Sequence, residues 1–275
     1  MNPILWTAPR ARALEVLCLP DPAAKAAAAR ELFMGLTTHA AAEEIDAQAV
    51  FEPTQLDPPA TLPGRPPLPR LVPPKDVPTR SPFTLEGRAA LLHAITHIEF
   101  NAINLALDAV WRFPHMPSAF YRDWLRVASE EALHFTLLRE HLQTLGFDYG
   151  SFDAHDGLWT MTQRTAHDIT ARMALVPRTL EARGLDATPP IQAKLRKAGD
   201  LRAVEILDVI LRDEIGHVAI GNHWYRWLCE RDGLEPVALY GVLAARYEAP
   251  RMRPPFNLDA RRAAGFTDAE IAFLT

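Results

Sequence analysis

Two Glu-x-x-His units stand out in the sequence, Glu131-Ala-Leu-His134 and Glu214-Ile-Gly-His217. Residues three apart share a face of a helix, so each carboxylate and imidazole can reach one metal site. Both units sit inside an apolar stripe. One stripe reads Phe120, Trp124, Val127, Glu131, His134, Leu138, Leu142, Leu145. The other reads Val204, Leu207, Leu211, Glu214, His217, Gly221, Trp224, Leu228. A carboxylate in a core is costly, and it persists when paired, protonated or bound to metal. Glu99 lies beside Ile95 and Ile98 and precedes Glu131 by 32 residues; Glu181 precedes Glu214 by 33. The two halves therefore share one layout, an acid on the first helix of a hairpin and Glu-x-x-His on the second.

Two such hairpins packed face to face offer four carboxylates and two imidazoles. This is the ligand set of ferritin-like di-iron and di-manganese proteins. Four carboxylates neutralise two divalent ions, and mixed oxygen and nitrogen donors suit iron or manganese. The expected centre holds two iron ions, with manganese or a mixed pair as alternatives. Glu131 and Glu214 bridge, Glu99 and His134 complete one shell, and Glu181 and His217 complete the other. The competing reading is a set of buried ion pairs without metal, which seldom gains net stability. Glu130 is off the stripe by one residue, and Glu205 falls on the opposite side of its helix from Glu214. His97, His141, His155, His167 and His223 read as structural. Gly216, beside a ligand, costs about 1 kcal/mol relative to Ala in a helix; it either opens space or permits close packing.

Four long helices must position these groups. The first is expected from Gly87 to about Phe113, on the stripe Leu91, Ile95, Ile98, Ala102, Leu105, Ala109. The second runs from about Pro117 to Leu145, stopped by Gly146. The third spans about Leu158 to Arg183, kinked at Pro177. The fourth begins near Pro189 and ends near Asp232-Gly233, with Gly199-Asp200 as an interruption. Ahead of them, residues 13–48 are rich in Ala, Leu, Glu and Lys, and Asp21-Pro22 is a helix start. Residues 53–82 hold eleven of the 24 prolines, a density that forbids helix and central strand. Another helix is expected near 235–247, followed by a Pro/Arg-rich tail. Arg251, Arg253, Arg261 and Arg262 there read as a solvated surface.

The expected fold is all-α: a ferritin-like four-helix bundle with an N-terminal helical and Pro-rich extension and a C-terminal helical tail. Its divisions are 1–50 (helical), 51–86 (Pro-rich strap), 87–232 (bundle) and 233–275 (helix and basic tail). Net charge is -5, which gives no bulk attraction to nucleic acid or anionic membrane. Cys18 and Cys229 form no C-x-x-C pair, so thiolate metal sites are not expected, and a reducing compartment fits. No leader is read at the N-terminus, and no apolar run reaches the roughly 18–20 residues of a membrane helix. The cytoplasm is the expected location.

The segment Arg212-Asp213-Glu214-Ile215-Gly216-His217 resembles the R-D-E-x-x-H helix of ribonucleotide reductase small subunits. That resemblance implies that Asp213 hydrogen-bonds His134 and fixes its tautomer. The radical tyrosine of that family has no counterpart, because Leu138 stands four residues after His134. A longer resemblance covers about 85–232. The stretches ALLHAITHIEFNAINLALDA, AHDGLW, RMALVPRTLEARGLD and LRDEIGHVAIGNHWY, with the tail FNLDARRAAGF, look like a bacterial ferritin-like family catalogued only as a domain of unknown function. TLEARGLD is also similar to the helix-three acid region of tRNA-hydroxylating ferritin-like enzymes, which implies Glu181 rather than Asp168 as the ligand.

These features point to an oxygen-activating di-metal oxidoreductase, an oxidase or hydroxylase. Its partners would be O2, a small-molecule or RNA substrate and an electron-donating reductase; a homodimer is compatible, and no membrane partner is expected. The alternatives are a ferritin-like iron-binding or ferroxidase protein and a non-catalytic helical scaffold. Two full Glu-x-x-His units fit an oxidase better than a storage protein, and the long extensions suit a covered substrate pocket.

Overall fold

The computed structural model describes residues 9–40 and 56–274. Residues 1–8 and 41–50 of the expected N-terminal helical segment therefore lie outside the described residues. Within them the protein is all-helical; the sole β-type pairing is an isolated bridge between Leu71 and Ala154. No helix among them is long and apolar enough to cross a membrane. The chain divides into two compact units, Met1–Asp156 and Gly157–Thr275.

The first unit is built on a hairpin of α3 (Leu85–Arg112) and α4 (Ser118–Thr144). The Thr84 hydroxyl caps α3 by accepting from the Gly87 amide at 3.1 Å, which satisfies one of the amides a helix start leaves open. Gly146, at φ +86°, turns the chain after α4, a left-handed conformation that glycine adopts without a steric cost. Two shorter helices cover the hairpin: α1 (Pro9–Leu17) lies against α3, and α2 (Pro22–Ala40) lies against α4. Asp21 caps α2 by accepting from the Ala24 amide at 2.7 Å. This cover buries α3 on most of its circumference from Ile95 to Trp111. Ile98 departs from the expected stripe and is 44% exposed.

The Pro-rich stretch of the first unit runs extended apart from a single 3-10 turn at Pro74–Asp76. It is tied at several points. The Gly64 amide donates to the Leu17 carbonyl at 2.9 Å, and Val72 and Arg70 exchange backbone bonds with Ala154. Arg65 pairs with Asp156 at 2.6 Å, and Arg70 pairs with Asp153. Gly64 presses on the backbone of Cys18 and Leu19, where a Cβ would overlap main-chain atoms.

In the second unit the expected third helix is broken and longer than anticipated. It comprises α5 (Gly157–Arg164), α6 (Ile169–Leu175), a π-segment (Val176–Glu181) and α7 (Ala182–Lys197). The break precedes Asp168, whose carboxylate caps α6 by accepting from the Ala171 amide at 2.9 Å. The kink expected at Pro177 takes the form of the π-segment, since proline cannot donate the i→i−4 bond. Pro189 does not begin the fourth helix. Pro189 and Pro190 lie inside α7, and the Leu185 carbonyl that Pro189 leaves open accepts from Asn257 Nδ2 at 3.2 Å. The fourth helix, α8 (Leu201–Arg231), starts after Gly199 at φ +80° and is capped by Asp200.

Then come α9 (Pro236–Arg246), α10 (Leu258–Ala263) and α11 (Asp268–Leu274). Ala182, Leu185, Val218, Ala260, Phe266 and Ile271 pack together, joining α7, α8 and the C-terminal helices. Arg261 corrects the reading of a solvated tail: it is fully buried and pairs with Asp186 at 2.5 Å. Its stripe partner is an acid on another helix, which a local charge pattern does not reveal.

Candidate metal centre

In the first unit, α3 supplies Glu99 and α4 supplies Glu131 and His134, all buried. Glu99 occupies the α3 side turned to α4, and Glu131 and His134 follow one another by a single turn of α4. His134 Nδ1 lies 3.2 Å from Glu99 Oε2 and 3.2 Å from Glu131 Oε2. One imidazole N–H cannot serve two carboxylates fully. A divalent cation can, because bonds of about 2.1 Å at right angles separate ligand atoms by about 3 Å. The donor set therefore fits a metal ion.

Phe100 and Phe135, next in sequence to Glu99 and His134, are buried against each other with ring centroids 5.5 Å apart. They give this half a dry wall.

In the second unit, Glu214 and His217 are buried one turn apart on α8, with Oε1 and Nδ1 at 3.6 Å. Glu181 is also buried and closes the π-segment. Such segments are a frequent device at functional sites because they turn one side chain out of the regular helical register. Glu99, Glu131 and His134, brought together within the first unit, are buried donors that could hold a metal ion. Asp168, the other acid considered for this helix, is engaged elsewhere: it caps α6 and accepts from the Tyr247 hydroxyl at 3.1 Å. Asp213 forms a two-pronged pair with Arg212, at 2.8 and 3.1 Å. At Gly216 a Cβ would meet no heavy atom within 4 Å among the described residues, so this glycine opens space. Gly221 is the glycine that permits close packing, because its Cβ would lie 2.6 Å from Pro177 Cβ.

The remaining histidines divide. His155, His167 and His223 are exposed. His141 is buried near the end of α4, beside the Thr144 hydroxyl at 3.3 Å. His97 belongs to a buried polar group that sequence reasoning passed over. Its Nδ1 lies 2.9 Å from the Tyr149 hydroxyl, and its Nε2 lies 2.9 Å from Asn101 Nδ2 and 3.2 Å from the His155 carbonyl. Tyr149 packs on Phe100 and Phe135, both at 5.3 Å. Burial lowers His97 to about 3, with Arg65 and His93 adding to the effect, and it lowers His93 to about 4. Burial pushes the Tyr149 phenol up. Lys25 was also passed over. It is fully buried on α2, and Nζ donates to the Gly64 carbonyl at 2.7 Å and to Asn104 Oδ1 at 2.6 Å. Its one available signal was its isolation in an alanine run whose members Ala26 and Ala29 are core.

A family model described as "Protein of unknown function (DUF455)" matches residues 18–272. An "Uncharacterized protein" of Haemophilus influenzae (strain ATCC 51907 / DSM 11121 / KW20 / Rd) is 57% identical over 213 residues, covering 75% of this chain and 74% of that protein. No solved structure matches the chain.

Proposed function

The chain belongs to this family of proteins of unknown function, and from that starting point we propose that it is a di-metal carboxylate oxidoreductase. In this reading residues 87–232 form a ferritin-like bundle whose two halves contribute to one centre. Glu99, Glu131 and His134 come from the first half, and Glu181, Glu214 and His217 from the second. Glu131 and Glu214 would each serve both ions, and Asp213 would orient His134 as a hydrogen-bond partner. The observation that carries the proposal is the meeting of two buried carboxylates on one buried imidazole nitrogen, each at 3.2 Å. The sequence supports it by repeating the same acid and Glu-x-x-His layout at nearly equal spacing in the second half.

Two ferrous ions held by these residues would supply two electrons for the reduction of O2, with an electron-donating reductase restoring them, and so the oxidising power to hydroxylate or dehydrogenate a substrate. The protein's own part is to hold the donors in place and keep the site dry. Phe100 and Phe135 do the latter beside Glu99 and His134. Gly216, without a side chain next to two ligands, leaves room for a small molecule.

Metal analysis of protein from iron-supplemented cells, by plasma mass spectrometry, tests the reading. About two Fe or Mn per chain are expected, with an optical change when anaerobically loaded protein meets O2. Fewer than about 0.2 metal per chain after reconstitution would make the carboxylate–imidazole core structural. Glu131→Ala is expected to lower the content of both positions, because it removes a bridge; unchanged occupancy in that variant would sink the ligand assignment.

A further inference from the structure

Glu181 closes a π-segment, where the regular ladder of backbone bonds that fixes a helical side chain is interrupted. The chain on either side of it is gripped by one stretch of the C-terminal region. Three residues before Glu181, Arg178 is buried and forms an ion pair with Glu270. Arg178 Nε also donates to Asn222 Oδ1 at 2.8 Å, and Asn222 Nδ2 donates to the Ala264 carbonyl at 2.8 Å. The guanidinium sits over the rings of Tyr225, Tyr240 and Phe266 at 4.8–5.2 Å. Glu270 is shared with Arg226, at 2.7 Å.

After Glu181 the same stretch takes hold again. Asp186 accepts from the Asn257 amide at 2.8 Å and pairs with Arg261 at 2.5 Å. Asn257 Nδ2 fills the open carbonyl of Leu185 at 3.2 Å, and Arg261 reaches the Ala182 carbonyl at 3.4 Å. Buried ion pairs seldom add net stability over apolar packing, but each of these two ties a residue near Glu181 to the C-terminal stretch. Two of them, bracketing one candidate ligand, form a register clamp.

We propose that residues 257–270, acting through Arg178 on one side and Asp186 on the other, position Glu181 and thereby set the affinity of the metal that Glu181 binds. Glu270 and Asn257 are positioning residues, and the inference rests on the reading of Glu181 as a ligand. Outer partners of metal ligands are worth about 10–100-fold in affinity.

The test is anaerobic titration of the full chain with Mn(II), with the free ion read by electron paramagnetic resonance, at a temperature where every variant is folded. Glu270→Gln is expected to weaken one of two Mn(II) sites about tenfold and leave the other unchanged. Glu181→Gln is expected to weaken the same site at least as much. The double variant is expected to bind no more weakly than Glu181→Gln alone, because the clamp acts only through that carboxylate. Additive losses in the double variant, or unchanged binding in Glu270→Gln while Glu181→Gln loses its site, would overturn the positioning role alone. Unchanged binding in Glu181→Gln would overturn the ligand reading and this inference with it. Should Glu270→Gln not fold, Asn257→Ser replaces it: serine keeps an acceptor for the Ala260 amide, which Asn257 caps at 3.2 Å, but lacks the donor to Leu185. The same weakening is expected, and an unchanged site would overturn the proposal.

Discussion

Lys25 puts an amine where no solvent reaches. Two short hydrogen bonds and the face of Phe100, 5.0 Å away, replace its water. Burial, and after it Arg65, lower its pKa to about 7 against the opposing effect of Cys18. The unfolded chain keeps this proton up to about 10.5. Between those values the unfolded state binds a proton that the folded state lacks, so stability rises with pH across the window. The contribution is fully present above the upper value and is lost as pH falls through about 7. Urea unfolding from pH 6.5 to 10 is expected to show this rise, on the order of 4 kcal/mol over the full window. Lys25→Met is expected to flatten it, and the same slope in the variant would assign the effect to other groups. The contrast with the candidate metal-binding acids explains what was legible at this scale. Glu131 and Glu214 interrupt leucine-rich stripes and announce themselves. Lys25 interrupts alanines, which give a helix no direction, so burial could not be read from its neighbours.

At the scale of elements, α8 carries two glycines with opposite roles. Gly221→Ala is expected to destabilise by about 1–3 kcal/mol, because the new methyl meets the Pro177 ring and the chain about it has little room to yield. Gly216→Ala is expected to stabilise by up to about 1 kcal/mol, since alanine gains helix propensity and meets nothing there. Chemical denaturation of the two variants checks the signs, and a loss at Gly216 equal to that at Gly221 would refute the open-space reading. Helix positions were legible where a cap or a left-handed glycine marks them, as at Thr84, Gly146 and Gly199. They were misread where tertiary partners repair a local fault. Pro189 looks like a start, yet α7 runs through it because Asn257, 72 residues from Leu185, supplies the missing donor. The short helices α10 and α11 escaped notice because their anchors, Asp186 and Arg178, lie far away in sequence.

For the whole molecule, the proposed metal binding carries a consequence for stability. A cation that binds only the folded chain stabilises it by about 2.7 kcal/mol at a hundredfold excess over its dissociation constant. Anaerobic Mn(II) or Fe(II) is expected to raise the thermal midpoint of the intact chain, and chelation is expected to lower it again. Glu131→Gln is expected to abolish most of the rise; a full rise in that variant would place the binding elsewhere. The all-helical class was legible from periodicity and from the scarcity of β-branched alternation. The cover that α1 and α2 place on the α3–α4 hairpin was not, because α3 needs burial on more sides than its own stripe records.

The clamp on the π-segment also has a schedule. Arg178 and Glu270 are 92 residues apart, and chains are synthesised at about 5–20 residues per second, so roughly 5–20 s pass before the arginine's partner leaves the ribosome. For the later part of that interval Glu214 and His217 have been made while Arg178 still lacks its partner. A nascent chain therefore carries its π-segment without the Arg178–Glu270 pair until almost the whole sequence has been made.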